Sequence, residues 1–451
     1  MHTQTIASQL LQKAASLLLY QSVLSDEVGQ AFLNLLQSLR QLDLLKSLPH
    51  SDIDELSCLQ AYGTYFKALA ARNQSWQDYL ISQILIDDNP FTRQIQQTKA
   101  NLPPALVAAV QQDLQALQSL YQCSSEQLSE WVQAAAGLNI TPVAWNQELV
   151  GATHDLPIRT KLQQIKNWAD TWKDLAAYYQ KFGTGIFAKY QALRWHSGEF
   201  IGIPHPDPVQ LHQLVGYEYQ RDTLLKNTEF LLAGYRALHV LLYGSRGSGK
   251  SSLVKGLLNE YGDRNLRIIE VAKSDLKDLP AIVEQLRDVP QKFIIFVDDL
   301  SFEEDDDAFK ALKVVLEGNI TARPQNVVVY ATSNRRHLVR EFFGDRPRPS
   351  NNTEDKGVRA PHANLLEEVH AWDTVQEKLS FSDRFGLTLT FEPADQNTYL
   401  TIVRHLATQA GITLSQADLD SRALQWATRH NGRSGRTARQ FVDFLQAQLN
   451  K

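Results

Sequence analysis

Residues 240–252, Val-Leu-Leu-Tyr-Gly-Ser-Arg-Gly-Ser-Gly-Lys-Ser-Ser, restrict the fold more than any other stretch of the chain. The apolar run 240–243 reads as a buried strand. Gly244-x-x-x-x-Gly249-Lys250-Ser251 follows, and then an apolar-periodic segment, 253–258, that reads as a helix. Strand, glycine-rich turn and helix start, in that order, are the context a phosphate-binding loop requires. Gly244, Gly247 and Gly249 admit backbone angles that other residues resist, so successive amides can turn inward around an anion. The helix start adds unpaired N–H groups and a positive dipole end. In such a loop Lys250 reaches the outer phosphates and the Ser251 hydroxyl ligates Mg²⁺. Ser245, Arg246, Ser248 and Ser252 complete the candidate binding turn.

The rest of the composition narrows the setting. A chain of 451 residues predicts two or three domains and more than one core. Its net charge of −5 supplies no overall pull toward nucleic acid or anionic lipid, and leaves direct nucleic-acid binding open. Cys58 and Cys123 stand far apart, with no metal-binding spacing, and read as two free thiols of a reducing compartment. No apolar run approaches a membrane span, and residues 1–11 carry neither a basic region nor a cleavage site. A cytoplasmic protein without membrane contact is the expectation.

Residues 1–194 read as an all-helical N-terminal domain. Phe32, Leu35, Leu39 and Leu42 step by three and four, as do Trp168, Trp172, Leu175 and Tyr179. Breakers fall at Pro49, Asn89-Pro90, Pro103-Pro104 and residues 151–157. With no catalytic constellation in it, this half reads as a recruiting or regulatory domain. Residues 195–214 contain Pro204, Pro206 and Pro208, which favour extended chain, and are expected to form a proline-rich linker.

Past the glycine-rich turn, Phe293-Ile-Ile-Phe-Val297 has the continuous apolar character of a central parallel strand. It ends in Asp298-Asp299, a carboxylate pair at a strand tip beside the phosphate turn, able to hold Mg²⁺ and to orient or deprotonate an attacking water. A five-acid run, 303–307, reads as a solvated face or helix-start acids. Strand 327–330 ends in Ala-Thr-Ser-Asn334, an amide placed to orient water against a γ-phosphate. Residues 344–364 lack periodicity and read as a long functional or disordered loop. Arg384 precedes an alternating strand through Leu387, Leu389 and Phe391, and an arginine-rich turn, 432–439, opens the last helix.

This order of motifs resembles the AAA+ ATPases: the glycine-rich loop, Asp298-Asp299, Ala331-Thr-Ser-Asn334, Ser382-Asp-Arg-Phe-Gly386 and Gly435-Arg436. More narrowly it is similar to the bacterial ATPase family known as domain of unknown function 815. Asn259-Glu-Tyr261, residues 293–304, residues 330–337 and Gln425-Trp426-Ala427 carry that likeness. The resemblance implies an α/β fold, an AAA+ P-loop NTPase core over 215–391 (a parallel sheet flanked by helices) with a C-terminal helical lid over 392–451. It implies ATP and Mg²⁺ as cofactors, with Asp298 on the metal, Asp299 in the place usually given to a glutamate base and Asn334 as first sensor. Val215 and Gly216 would contact the adenine side. Arg384 would be a finger completing a neighbouring subunit's site, and Arg436 a second sensor from the lid. A finger acting in trans implies a ring or open helical homo-oligomer.

Two departures from the family pattern matter. Asp299 is one methylene shorter than glutamate. The segment 272–279 lacks the aromatic-apolar-glycine signature of protein-threading pores. Two functions are therefore expected to compete. One is Mg²⁺-dependent ATP hydrolysis coupled to remodelling or loading of a protein or nucleoprotein partner. The other is a nucleotide-gated interaction protein with little turnover.

Overall fold

The computed structural model describes residues 2–46, 55–97, 102–147, 156–301, 307–317, 323–334, 384–430 and 432–449. Most of the acidic run, the loop 344–364 and the ends of two family motifs (335–337 and 382–383) lie outside the described residues. The chain divides into two compact units, Met1–Lys189 and Tyr190–Lys451.

Among its described residues the first unit has helices and no strand: α1 (His2–Ala15), α2 (Glu27–Lys46), α3 (Glu55–Arg72), α4 (Trp76–Ile86), α5 (Pro90–Gln97), α6 (Pro104–Tyr121), α7 (Ser125–Ala135), α8 (Leu156–Gln164), α9 (Trp172–Phe182) and the short α10 (Gly185–Lys189). The stripe Phe32, Leu35, Leu39 and Leu42 is buried, as its period requires. At the centre Trp76 stacks on Phe32 at 3.9 Å and donates its indole N–H to the Leu120 carbonyl at 2.9 Å. Asp113 is fully buried, and its carboxylate accepts the backbone N–H groups of Leu18, Leu19 and Tyr20 at 2.7–3.1 Å. That arrangement satisfies donors past the end of α1 that a buried chain cannot leave unpaired. Cys58 and Cys123 are both buried, and neither forms a disulfide.

The second unit is built on a sheet of seven strands: β1 (Ala192–His196), β2 (Glu199–Ile203), β3 (Val240–Gly244), β4 (Leu266–Val271), β5 (Lys292–Val297), β6 (Val327–Ser333) and β7 (Leu387–Phe391). Their order is β2-β1-β4-β5-β6-β3-β7. Every pair is parallel except the β1–β2 hairpin. The helices of this unit are α11 (Glu218–Leu232), α12 (Lys250–Tyr261), α13 (Leu279–Leu286), α14 (Asp307–Glu317), α15 (Gln396–Gln409), α16 (Gln416–Arg429) and α17 (Gly435–Leu449). Residues 293–297 and all of β6 are buried, so the interior strands are covered on both faces and read as unbroken apolar runs. The last three helices share a core of their own around Tyr399, Val403, Ala423, Ala438 and Phe441, which forms the helical lid. The architecture is an α/β unit, a mostly parallel sheet flanked by helices with a C-terminal helical lid, preceded in the chain by a helical unit.

The expected linker over 195–214 is corrected in part. Residues 195–203 belong to the hairpin at the sheet edge, where Leu193 and Trp195 are buried and Arg194 and His196 exposed. Ser197 and Gly198 turn the hairpin with φ of 52° and 87°, the mirror-image turn that matches strand twist. The prolines further on do run without regular structure, but not freely. Asn259 on α12 donates to the carbonyls of Asp207 at 3.2 Å and Val209 at 2.7 Å, and Leu211 buries beside Gly256.

Candidate nucleotide site

The register of the sheet gathers the motif residues at one end. Tyr243 of β3 lies opposite Ser333 of β6, and Ala331 of β6 opposite Val297 of β5. The residues that follow these strands, 244–251, 298–299 and 334, therefore emerge together at the carboxyl edge, where parallel sheets place ligands.

The turn after β3 needs its glycines. Gly244 has φ of 141°, and a Cβ on it would lie 1.9 Å from the Phe391 carbonyl oxygen. Ser245 donates its N–H to that same carbonyl at 3.0 Å, so the turn is sewn to the end of β7. Gly247, at φ of 75°, sits where a Cβ would crowd Ser434 Oγ at 2.9 Å and Arg436 Cβ at 3.1 Å. Its carbonyl accepts the Arg436 N–H at 3.2 Å, which brings the start of α17 onto the loop. The Arg436 side chain is exposed, as is that of Arg246.

Inside the turn Lys250 is buried. Its Nζ donates to the Gly244 carbonyl at 3.0 Å, the Ser245 carbonyl at 2.7 Å and Asn334 Oδ1 at 3.4 Å. Burial pushes the Lys250 ammonium below its usual range, and the charges of Asp298 and Asp299 pull it back up. Ser248 closes the turn by donating to the Ser245 carbonyl at 3.0 Å.

The carboxylates form the opposite wall. Ser251 Oγ donates to Asp298 Oδ1 at 2.6 Å. Thr332 Oγ1 donates to the same oxygen at 2.5 Å and accepts the Asp299 N–H at 2.9 Å. The Thr332 carbonyl accepts the Leu300 N–H at 2.7 Å. Asp299 has φ of 53°, a conformation a non-glycine residue holds only where its surroundings impose it. Asn334 Nδ2 donates to Asp299 Oδ1 at 2.7 Å, so this amide bridges Asp299 and Lys250.

Val215 and Gly216 lie before α11. Val215 packs on the lid core, and a Cβ on Gly216 would meet Thr398 Cγ2 at 2.7 Å. Leu214 lies 3.7 Å from a Cβ built on Gly249, so residues 214–216 run between the glycine-rich turn and α15 of the lid. Arg384 is not part of this assembly. It precedes β7 at the opposite end of the sheet, where it pairs with Glu317 at the end of α14. Thr332 was absent from the sequence-level set, although its hydroxyl joins both carboxylate residues.

The chemistry of these groups fits a nucleotide with a divalent cation. Ser251 and Asp298 present adjacent oxygens of the hard kind that Mg²⁺ takes. Among the described residues no group of three or more His, Cys, Asp or Glu could hold a metal alone. Mg²⁺ is commonly held by one or two protein oxygens plus phosphate and water.

A family model described as "Protein of unknown function (DUF815)" matches residues 188–449, more than half of the chain. The chain belongs to that family. Solved structures similar to it include the Thermotoga maritima RuvB Holliday junction branch migration motor, with 16% identity over 54% of this chain and 66% of that one, and a TM-score of 0.35. A point-mutant structure of Thermotoga maritima RuvB matches at 16% identity over 54% and 67% of the two chains, with a TM-score of 0.36. A second RuvB point mutant matches at 16% over 53% and 72%, with a TM-score of 0.32. The chain thus spans just under two thirds of the RuvB motor structure. No curated protein matches it.

Proposed function

We propose that this protein is an ATPase that binds MgATP on the glycine-rich turn, hydrolyses it slowly and uses the cycle to remodel or load a macromolecular partner. The observation that carries this reading is the unbroken chain of contacts Ser251–Asp298–Thr332–Asp299–Asn334–Lys250. It joins a phosphate-binding lysine, a metal-binding hydroxyl and carboxylate, a base and a polar sensor within one hydrogen-bonded set. Residues 244–252 would cradle the phosphates, with Lys250 exchanging its loop carbonyls for phosphate oxygens. Ser251 and Asp298 would hold Mg²⁺, which supplies charge neutralisation on the phosphates. Asp299 and Asn334 would position the attacking water. Val215 and Gly216 would face the base, and Arg436 would approach from the lid. Arg384 would act on a neighbouring copy, and the helical N-terminal half would recruit the partner.

A second reading, a nucleotide-gated scaffold with little turnover, has one contact in its favour. The Asp299 carboxylate is held by Asn334 at 2.7 Å, and its short side chain would have to leave that amide to reach a water. Turnover separates the two. Purified protein with MgATP is expected to release phosphate at a rate that rises with protein concentration, and Lys250→Ala is expected to lose nucleotide binding. A kcat below about 10⁻³ s⁻¹ at every concentration, far under ordinary enzyme rates, would leave the scaffold reading standing. Nucleotide binding that survives Lys250→Ala unchanged would overturn both.

A further inference from the structure

In the helical unit, residues 139–147 (Asn-Ile-Thr-Pro-Val-Ala-Trp-Asn-Gln) leave the turn after α7 and run without regular structure across the junction of α3 and α7. They are held in the way a bound peptide is held. Tyr62 of α3 donates its hydroxyl to the Val143 carbonyl at 2.7 Å, and Ser129 of α7 donates to the Pro142 carbonyl. The Thr141 hydroxyl donates to the Gln133 amide oxygen, and Asn146 donates to Glu126. Glu126, Ser129 and Gln133 share one face of α7 by their spacing, and Tyr62 and Phe66 share one face of α3. Trp145 stands edge-on to Phe66, with ring centres 5.7 Å apart at 87°.

The strap's own apolar side chains contribute little. Ile140 is 81% and Val143 75% exposed, so two backbone carbonyls, the Thr141 and Asn146 side chains and one tryptophan make the attachment. The Trp145 indole N–H is buried and has no acceptor among the described residues. A groove that grips two carbonyls with hydroxyls and receives one ring selects a short pattern rather than a unique chain. We infer that the α3–α7 groove is a recognition site for an extended partner peptide carrying proline followed three residues later by tryptophan, and that residues 141–146 occupy it in cis. A tethered occupant acts at an effective concentration of order 1 mM, so it weakens a competing peptide by roughly 10–100-fold when that peptide binds at tens of micromolar.

The test uses the full-length protein and a fluorescein-labelled synthetic peptide with the sequence of residues 139–147. Trp145→Ala empties the ring site while leaving the groove intact. It is expected to bind the peptide about 10-fold or more tightly than wild type does. Tyr62→Phe or Ser129→Ala added to that variant, or alanine in place of the peptide's tryptophan, is expected to abolish the gain. Should circular dichroism find Trp145→Ala unfolded, Thr141→Ala/Asn146→Ala frees the strap's polar tethers instead and is put through the same comparison. Equal, groove-independent binding by folded variants would overturn the proposal. So would a concentration-dependent wild-type dimer that Trp145→Ala dissolves, since the occupant would then be the strap of a second copy.

Discussion

Thr332 shows how much one buried hydroxyl can decide. It is 2% exposed, donates to the Asp298 carboxylate and accepts from the Asp299 amide. It therefore aims the Asp298 carboxylate, proposed to hold Mg²⁺, and fixes the backbone that holds Asp299 at positive φ. Thr332→Val keeps the volume but takes the acceptor from the Asp299 N–H and removes one of the two hydroxyls, Thr332 and Ser251, that donate to Asp298. Groups that orient metal ligands are worth about 10–100-fold in metal affinity or activity. The expected result is a rise of that size in the Mg²⁺ needed for half-maximal nucleotide binding, with kcat falling while KM for ATP moves less than about 3-fold. Thr332→Ser should restore most of it, and an unchanged Mg²⁺ dependence would leave Thr332 a core residue only. Lys250, Asp298 and Asn334 were legible beforehand because motif spacing names them. Thr332 was not, because within β6 a threonine reads as ordinary strand filler, and its role depends on register with a strand some thirty residues earlier. The positive φ of Asp299 has no signature in residue identity at all.

At the scale of elements, helix and strand periodicity carried most of the fold, and breakers misled once. Three alternating prolines drew the linker boundary too early. The hairpin before them had its own signal, alternating Leu193 and Trp195 with a Ser-Gly turn. Asn259 belonged to a recognisable phrase, but only the structure gives it work, holding residues 207–209 along α12. One side chain at an element's start has a measurable consequence. His239, buried just before β3, accepts the Val329 N–H of β6 on Nδ1 at 2.9 Å, and its carbonyl accepts the Leu387 N–H of β7 at 3.1 Å. Burial first, then Arg323 and Arg236, push its pKa down to about 3. The folded protein thus keeps His239 neutral where the unfolded chain, titrating near 6.5, takes up a proton. Stability from this group is complete above about pH 6.5 and is lost as pH falls from there toward 3, with a ceiling of about 4–5 kcal/mol. His239→Gln retains an acceptor and removes the titration. Urea unfolding between pH 7.5 and 4.5 should show a shallower acid loss for the variant than for wild type. Parallel curves would mean that other groups set the acid limit.

Across the second unit, the sheet separates two halves of the proposed chemistry. Phe391, at the end of β7, lies opposite Gly244, while Leu387, at its start, lies opposite Val240. Arg384 comes before that start. At about 3.3 Å per residue, the strand alone holds it more than about 13 Å from the phosphate turn of its own chain, beyond the reach of its side chain. An arginine in that position can serve a nucleotide only on another copy. Arg384→Ala and Lys250→Ala should then each abolish turnover for a different reason, the first leaving nucleotide binding intact and the second removing it. Mixed in equal amounts, the two proteins should recover activity. A working site needs an intact Lys250 on one copy and an intact Arg384 on the next, so random assembly gives about a quarter of wild-type turnover. Dilution should abolish that recovery along with wild-type activity, because both depend on contact between copies. A mixture as inactive as its components would remove the trans role from Arg384 and leave it a structural partner of Glu317. Nucleotide binding by the Arg384→Ala protein would still stand on the turn after β3 and on the wall formed by Asp298, Thr332 and Asn334.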